Sequence, residues 1–294
     1  MWFRRVAILF AVVLGAPAFL AAQGLDSAKI DEALGRSGQK NGDVYRVAFP
    51  RTDLHVRANG VDIKPGLALG SWAAFSGTDD HASVMGDLVL LEGEVNPVIR
   101  KLRSAGFEIT AVHNHLFNEA PHVLYTHYMG HGQAAEIAKS LRAALAESKT
   151  PLEKPAPPPP QTAEPPAFVK TIEDTLGTKG RWTAGVLAFG IPRAEPITDG
   201  GMSLTGAQGV AESINFQEAG PGKVATTGDF VLTAEEVNPV ISALAEHDIQ
   251  VTALHSHLLT EQPRLFFMHF WGLGSTESVA RGIKAGLDKV QTKK

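Results

Sequence analysis

Histidine and glutamate residues occur twice in this chain in one pattern, and both residue types can bind metal ions. The pattern is His-x-His, a glutamate four residues later and a third histidine eight residues after that, and it is formed by His113, His115, Glu119 and His127 and again by His255, His257, Glu261 and His269. Neutral imidazole and carboxylate bind zinc, copper, iron or manganese, and three protein ligands beside an open position are typical of catalytic zinc. These eight residues are therefore candidate metal ligands, with zinc as the best fit and copper or iron as alternatives.

The two sets lie 142 residues apart because the chain is a duplication. Residues 86–145 align without a gap on residues 228–287, and about two positions in five are identical. Each repeat is about 120 residues long, which is enough to bury a core of its own. The four residues persist while neighbours change, for example from Tyr125 to Phe267.

A structural interpretation competes with metal binding. A His-x-His pair can be hydrogen-bonded into a polar hairpin, and a duplication copies structural residues as readily as functional ones. His122 and His131 occur in the first copy only, which makes that copy richer in potential ligands. The sequence leaves open whether the two sets form two sites or one shared site.

The hydrophobic pattern predicts an α+β fold with an antiparallel sheet in each repeat. Residues two apart on a strand share a face, so a strand ending at His115 and an antiparallel strand carrying His127 would bring these side chains together. From residue 84 the order strand, helix, strand, strand, helix is that of the ferredoxin-like split βαβ arrangement. The predicted strands of the first copy are Val44–Phe49, Asp53–Val56, Val61–Ile63, Ser71–Phe75, Val84–Leu91, 107–115 and Val123–Met129, and the predicted helices are Asp26–Leu34, one beginning at Asn96-Pro97, and Gln133–Leu145.

Two other acidic pairs are repeated, Asp87 with Asp229 and Glu94 with Glu236. Asp87 and Asp229 lie in a predicted strand, and Glu94 and Glu236 lie just before a predicted helix. This position favours a turn or capping role over catalysis.

Composition divides the chain into four segments. Residues 1–22 have the basic start, apolar run and small-residue end of a secretory signal peptide, and residues 149–167 form a proline-rich linker between repeat one (23–148) and repeat two (168–294). We therefore expect a periplasmic or secreted protein without a transmembrane segment. The sequence contains no cysteine, which excludes disulfides and thiolate chemistry.

Several classes of partner and reaction are disfavoured. The formal net charge is −4, and no cluster of lysine and arginine indicates nucleic acid as a partner. The sequence also has no Gly-x-Ser-x-Gly elbow and no phosphate-binding glycine motif. The envelope partner, if there is one, is not identified by the sequence.

Several motifs together resemble the LppY/LpqO-like family of bacterial lipoproteins, a domain of unknown function. They are Ile30–Gly35, Pro50–Leu54, Leu67–Trp72, Gly86–Leu90, Glu94–Pro97 and His113–Leu116. The resemblance covers both repeats and implies an exported bacterial envelope protein, but no reaction. The absence of a cysteine to acylate argues for a form without a lipid anchor.

Three functions remain open, and the sequence does not decide whether the protein is an enzyme. The first is binding of a metal ion or small ligand through the duplicated histidines. The second is a metal-dependent hydrolase acting on cell-envelope material, with Glu119 as general base. The third is a structural or protein-interaction module.

Overall fold

The computed structural model describes residues 24–153 and 164–293, so the predicted signal peptide and most of the proline-rich linker lie outside the described residues. Repeat one alternates short helices with strands of two to ten residues. Its elements are α1 (Ser27–Leu34), β1 (Gln39–Asn41), β2 (Val44–Pro50), β3 (Arg57–Ala58), β4 (Val61–Asp62), α2 (Pro65–Ala68), β5 (Gly70–Gly77), β6 (Ala82–Leu91), α3 (Glu92–Ser104), β7 (Glu108–His113), β8 (Glu119–Ala120), β9 (Val123–Gly132) and α4 (Ala134–Leu145).

Repeat two follows the same plan, with a short 3₁₀ helix at Gly206–Gln208 in place of α2 and no described counterpart of β8. The two copies have the same order of long elements, as the duplication predicts. The elements of repeat two are α5 (Ala167–Leu176), β10 (Arg181–Thr183), β11 (Val186–Pro192), β12 (Ile197–Asp199), β13 (Met202–Leu204), β14 (Ala211–Gly220), β15 (Lys223–Leu232), α6 (Ala234–Ala245), β16 (Gln250–His255), β17 (Phe266–Ser275) and α7 (Thr276–Leu287).

Each repeat forms a six-stranded antiparallel sheet, which confirms the prediction of two tandem α+β copies. The strand orders are β1-β2-β5-β6-β9-β7 and β10-β11-β14-β15-β17-β16. In the first sheet β9 lies between β6 and β7 and is antiparallel to both. The histidine-bearing strand β7 is therefore an edge strand, and so is its equivalent β16.

The two faces of each sheet are covered differently, because residues alternate between faces along a strand. On one face of the first sheet, Leu88 and Leu90 of β6 pack with Val98 of α3 and Leu141 of α4. The opposite face carries Met85, which packs with Phe267 of repeat two. The molecule is thus built in four layers, helices, sheet, sheet and helices, and the two sheets meet in the middle.

Polar contacts across the middle tie the repeats together. The Lys64 backbone N–H donates to Gln217 Oε1 over 2.9 Å, and Gln217 Nε2 donates to the Asp62 carbonyl over 2.8 Å. The Arg46 guanidinium lies 3.9 Å from the Trp72 ring centroid and donates to the carbonyl of Ala207 in repeat two. The repeats therefore pack as one body.

Several predicted elements are confirmed by their local chemistry. Helix α1 begins where the Asp26 carboxylate accepts the Ala28 N–H, and it ends at Gly35 in the left-handed conformation. The Asn59-Gly60 turn has positive φ at both residues, +49° and +84°, as a tight hairpin requires.

Helix α3 corrects the prediction of a start at Asn96. It begins at Glu92, and Pro97 lies inside it. The Glu94 carboxylate accepts the Leu91 backbone N–H over 2.9 Å, so the capping interaction forms one turn earlier than the proline suggests. In repeat two, Glu236 accepts the Thr233 N–H in the same way. The capping role predicted for these two glutamates is therefore confirmed.

The strand predicted at Asp53–Val56 is absent, because this segment turns around a buried arginine. Arg51 is completely buried, and its guanidinium forms ion pairs with Asp53 at 2.9 Å and with Glu94 at 2.8 Å. Its Nη1 also donates to the Val89 carbonyl.

Among the described residues, no helix is long and apolar enough to span a membrane.

Candidate metal centre

The six predicted histidines of the two repeats lie together between the two sheets. His113 and His255 are the last residues of the edge strands β7 and β16, whereas His127 and His269 lie in the middle of β9 and β17. His115 and His257 lie just beyond the ends of the edge strands. The structure thus brings the predicted histidines of each repeat together, and His115 is in a bend rather than on the strand.

The six rings are arranged about a pseudo-twofold axis that relates the repeats. His113 and His255 are equivalent residues, and their ring centroids are 3.6 Å apart. His115 stacks on His269 with centroids 3.7 Å apart, and the equivalent pair, His257 and His127, is separated by 3.6 Å. Each stacked pair therefore contains one ring from each repeat, and there is one shared centre rather than two separate ones.

Four of these histidines are close enough to bind one metal ion. In His113, His255, His257 and His269, one ring nitrogen from each lies within 4.8 Å of those of the other three. Two ligands that share a metal at bond lengths of about 2.1 Å cannot be further apart than about 4.2 Å, so a small inward movement completes such a site. Imidazole is a ligand for zinc, copper, iron and nickel.

The hydrogen bonds of the rings leave one nitrogen free on each. Nδ1 of His113, His255 and His269 lies 3.2, 3.3 and 2.9 Å from the carbonyl oxygens of Asn114, Ser256 and Gly228. A proton on Nδ1 serves these contacts and leaves the lone pair on Nε2. The Nε2 atoms of all six histidines are buried and have no hydrogen-bond partner. Metal-binding histidines commonly have this arrangement, with Nδ1–H held by a carbonyl and Nε2 directed at the metal.

Burial keeps these imidazoles neutral. It lowers the pKa of His113 to about 3 and that of His255 to about 4. Burial, together with the neighbouring imidazoles, lowers the pKa values of His115, His127, His257 and His269 well below the usual 6.5. At neutral pH the rings therefore carry the free lone pair that a metal ion needs.

Two aspartates also face the cluster. Asp87 is opposite His127 in the pairing of β6 with β9, and its Oδ1 and Oδ2 lie 3.6 Å from His127 Nε2 and 4.0 Å from His115 Nε2. Asp229 is opposite His269, with its Oδ1 3.2 Å from His269 Nδ1. Burial raises the pKa of Asp87 to about 7 and that of Asp229 well above its usual value.

The aspartates correct the turn or capping role predicted from the sequence. Asp87 lies within the ten-residue strand β6 and is only 5% exposed. The signal that could have identified it is a repeated acid inside an apolar run, Gly-Asp-Leu-Val-Leu and Gly-Asp-Phe-Val-Leu. A charge in such a run is costly to bury unless it has a partner, which points to a functional group.

Aromatic rings and backbone contacts hold the histidines in position. The Tyr125 ring lies 3.3 Å from His115 between centroids, and its hydroxyl donates to the Ala68 carbonyl over 2.8 Å. Its equivalent, Phe267, stacks on His257 at 3.6 Å. Thr252 of repeat two donates to the His115 carbonyl over 2.6 Å. The loop that carries His115 is thus fixed by both repeats.

The other predicted residues have different neighbours. Glu119 Oε1 lies 2.7 Å from Nδ1 of the half-exposed His122. Glu261 accepts the Leu265 backbone N–H over 3.0 Å and lies 3.3 Å from Arg264. Neither glutamate belongs to the group of His113, His255, His257 and His269, whose ring nitrogens lie close enough together to bind one metal ion. A metal-ligand role for Glu119 and Glu261, and a general-base role for Glu119, stay predictions.

The cavity that reaches the cluster is small. It is lined by His127, His257, Trp72, Tyr128 and Phe267 among others, and it holds about 10 Å³. That is room for about one water molecule.

Sequence comparison identifies the repeats. One family, described as Domain of Unknown Function (DUF1259), matches residues 28–147 and again residues 170–289. The chain belongs to this family. The two DUF1259 copies are offset by the same 142 residues that relate the two histidine sets. No curated protein matches the chain.

The solved structures to which this chain is similar have low sequence identity to it and low TM-scores. A trimeric bacterial microcompartment shell protein, PduB, is 12% identical, with a TM-score of 0.20 over 86% of this chain and 89% of that one. EtuB from Clostridium kluyveri is 11% identical, with a TM-score of 0.20 over 85% and 90%. TP0453 is 14% identical, with a TM-score of 0.19 over 86% and 96%.

Proposed function

We propose that this protein binds a divalent transition metal ion in one centre formed by both repeats, with zinc as the best fit and copper or iron as alternatives. The observation that carries the proposal is the convergence of six buried imidazoles whose Nε2 atoms have no hydrogen-bond partner. An unpaired buried polar atom costs about 1–3 kcal/mol, and six of them at one place would be a large penalty without a ligand. A metal ion would satisfy these atoms together.

The purely structural interpretation has less support. If the histidines served only to tie hairpins together, both ring nitrogens would be expected to bond within the protein. In His113, His255 and His269, Nδ1 does so and Nε2 does not. All six Nε2 atoms are left without a hydrogen-bond partner inside the protein.

Hydrolysis of envelope material is the less favoured alternative. The cavity beside His127 and His257 has room for about one water molecule, whereas organic substrates fill pockets of about 300–1,000 Å³. Glu119, the base that this mechanism requires, lies against His122. The geometry supports binding more directly than turnover.

The test is elemental analysis of the protein purified without a chelator or histidine tag. We expect at least one equivalent of metal per chain. The double variants His113→Ala/His115→Ala and His255→Ala/His257→Ala should each lose the metal, because each removes at least one of the four closest ligands and a shared centre needs both repeats. Separate sites would instead leave half of the metal in each variant.

His131→Ala is the matched control. This histidine is exposed on β9, away from the cluster, and the variant should retain the metal. Circular dichroism would verify that all variants are folded. Absence of metal in the wild type after reconstitution with Zn²⁺ and Cu²⁺ would refute the proposal.

We also propose that the protein is exported and acts in the bacterial envelope, as the resemblance to the LppY/LpqO-like family implies. The support is the composition of residues 1–22, which is that of a secretory signal peptide. N-terminal sequencing of the exported protein would test the cleavage predicted near residue 22.

The ferredoxin-like interpretation of the second half of each repeat is supported by the position of β9 between β6 and β7.

A further inference from the structure

We infer that Asp229 makes the centre favour divalent over monovalent ions by placing a negative charge beside His269, an inference that rests on the proposed metal binding. His269 is one of the four histidines whose ring nitrogens lie within 4.8 Å of one another, and its Nε2 is buried without a hydrogen-bond partner. On the other nitrogen of the same ring, Nδ1, the Asp229 Oδ1 atom lies 3.2 Å away. Asp229 therefore acts on a bound ion through this imidazole.

The contribution of Asp229 is charge rather than orientation of the ring. His269 Nδ1 lies 2.9 Å from the Gly228 carbonyl oxygen, which accepts its proton and fixes the ring. Asp229 Oδ1 makes no hydrogen bond. The ring is thus held without Asp229, and the carboxylate adds an electrostatic attraction for the positive charge that a bound metal ion brings to the imidazole.

The four histidines supply no negative charge, because imidazole ligands are neutral. A divalent ion among them places two positive charges in a largely buried site, which is costly unless an opposite charge lies nearby. Of these four rings, within the part of the chain that the structure describes, His269 is the one with a carboxylate oxygen within 4.0 Å of a ring nitrogen. Nδ1 of His113 and Nδ1 of His255 instead face neutral backbone carbonyls.

Asp229 also lacks a strong cationic partner in the protein. Among the described residues, no lysine or arginine nitrogen lies within 4.0 Å of its carboxylate, and its side chain is only 17% exposed. The equivalent Asp87 differs, because it faces His115 and His127, which lie outside the group of four. Burial raises the pKa of Asp87, and the Arg46 guanidinium opposes this effect. A divalent ion on His269 would supply the positive charge that Asp229 lacks.

The experiment compares the affinities of the full chain for Zn²⁺ and for Ag⁺ in the wild type, Asp229→Asn and Asp87→Asn, by competition with a chelator at one pH. Asp229→Asn should weaken Zn²⁺ binding about 10- to 100-fold, as for other residues that support a metal ligand. Because the Coulomb energy is proportional to the charge of the ion, Ag⁺ binding should weaken only by the square root of that factor, about 3- to 10-fold. Asp87→Asn is the matched control and should lose less affinity for Zn²⁺ than Asp229→Asn does.

The outcomes separate this inference from the proposed function. A wild type that binds no ion overturns both. An equal loss of Zn²⁺ and Ag⁺ affinity in Asp229→Asn, or no loss for either ion, leaves metal binding intact and overturns the role of Asp229 as a charge. A loss of Zn²⁺ affinity in Asp87→Asn as large as that in Asp229→Asn overturns the assignment to Asp229. If Asp229→Asn does not fold, Asp229→Ser removes the same charge with a smaller side chain and makes the same comparison.

Discussion

At the scale of single residues, the centre depends on side chains that hold the histidines as much as on the histidines themselves. Tyr125 and Phe267 occupy equivalent positions, and each stacks on a histidine of its own repeat, His115 or His257. Only Tyr125 carries a hydroxyl, which donates to the Ala68 carbonyl. The two residues therefore share one role, which is to pack an aromatic ring against a histidine. The hydroxyl of Tyr125 adds stability to repeat one.

The variant Tyr125→Phe tests whether the ring and the hydroxyl have these separate roles. Removing the hydroxyl leaves the carbonyl of the partly buried Ala68 without this donor, so we expect a loss of about 0.5–1.5 kcal/mol in the free energy of unfolding and no change in metal stoichiometry. Tyr125→Ala should cost about 3–5 kcal/mol and weaken metal binding, because it removes the ring behind His115. Urea denaturation and metal analysis measure the two effects. Loss of metal in Tyr125→Phe would contradict this view.

At the scale of elements, close contact between neighbouring strands requires glycine immediately before each aspartate. A Cβ at Gly228 would lie 1.8 Å from the Ser213 carbonyl oxygen, and one at Gly86 would lie 2.1 Å from that of Trp72. Strands β14 and β15 therefore cannot keep their spacing if residue 228 has a side chain. The same strand also presents the Gly228 carbonyl to His269 Nδ1.

We expect Gly228→Ala to lower the free energy of unfolding by about 1–3 kcal/mol or more, because the strand must shift. Gly190→Ala on β11 is the control, since a Cβ there meets no atom within 4 Å. Its effect should stay within about 0.5 kcal/mol. Thermal unfolding of the two variants makes the comparison, and equal stabilities would show that the strands can adjust.

The sequence predicts the helices and strands better than the contacts between them. The constant offset between the copies identifies the repeat, the alternation of apolar residues identifies most strands, and the capping residues identify the long helices. The alternation also places His113 near His115. The start of α3 was missed because Pro97 resembles a first helical residue, whereas the capping glutamate is Glu94. The contact between His113 and His255 depends on packing of two sheet faces, and no local pattern encodes such a non-local contact.

At the scale of the whole molecule, the histidine cluster proposed to bind the metal lies where the two repeats join. Apolar residues of both copies pack together at this junction: Tyr125, which stacks on His115, and Val89 from the first copy, and Trp271 and Val186 from the second. A ligand bound there contacts both sheets at once. Metal binding is therefore expected to couple the stability of one repeat to that of the other.

Removal of the metal should lower the unfolding temperature of both repeats together. Binding at a free metal concentration 100 times the dissociation constant adds about 2.7 kcal/mol to the free energy of unfolding. Calorimetry of the protein with Zn²⁺ and with a chelator measures the shift, and His113→Ala/His255→Ala should abolish it. A shift confined to one of two separate transitions would contradict the coupling.

The pseudo-twofold arrangement has a consequence for how such a centre can diversify. A chain with one copy could assemble the six histidines only as a homodimer, in which every substitution appears on both sides of the axis. Fusion into one chain removes that restriction, and the equivalent positions already differ: tyrosine against phenylalanine, and one carboxylate facing Nε2 where its counterpart faces Nδ1. Joining the copies thus allows an asymmetric centre on a symmetric framework.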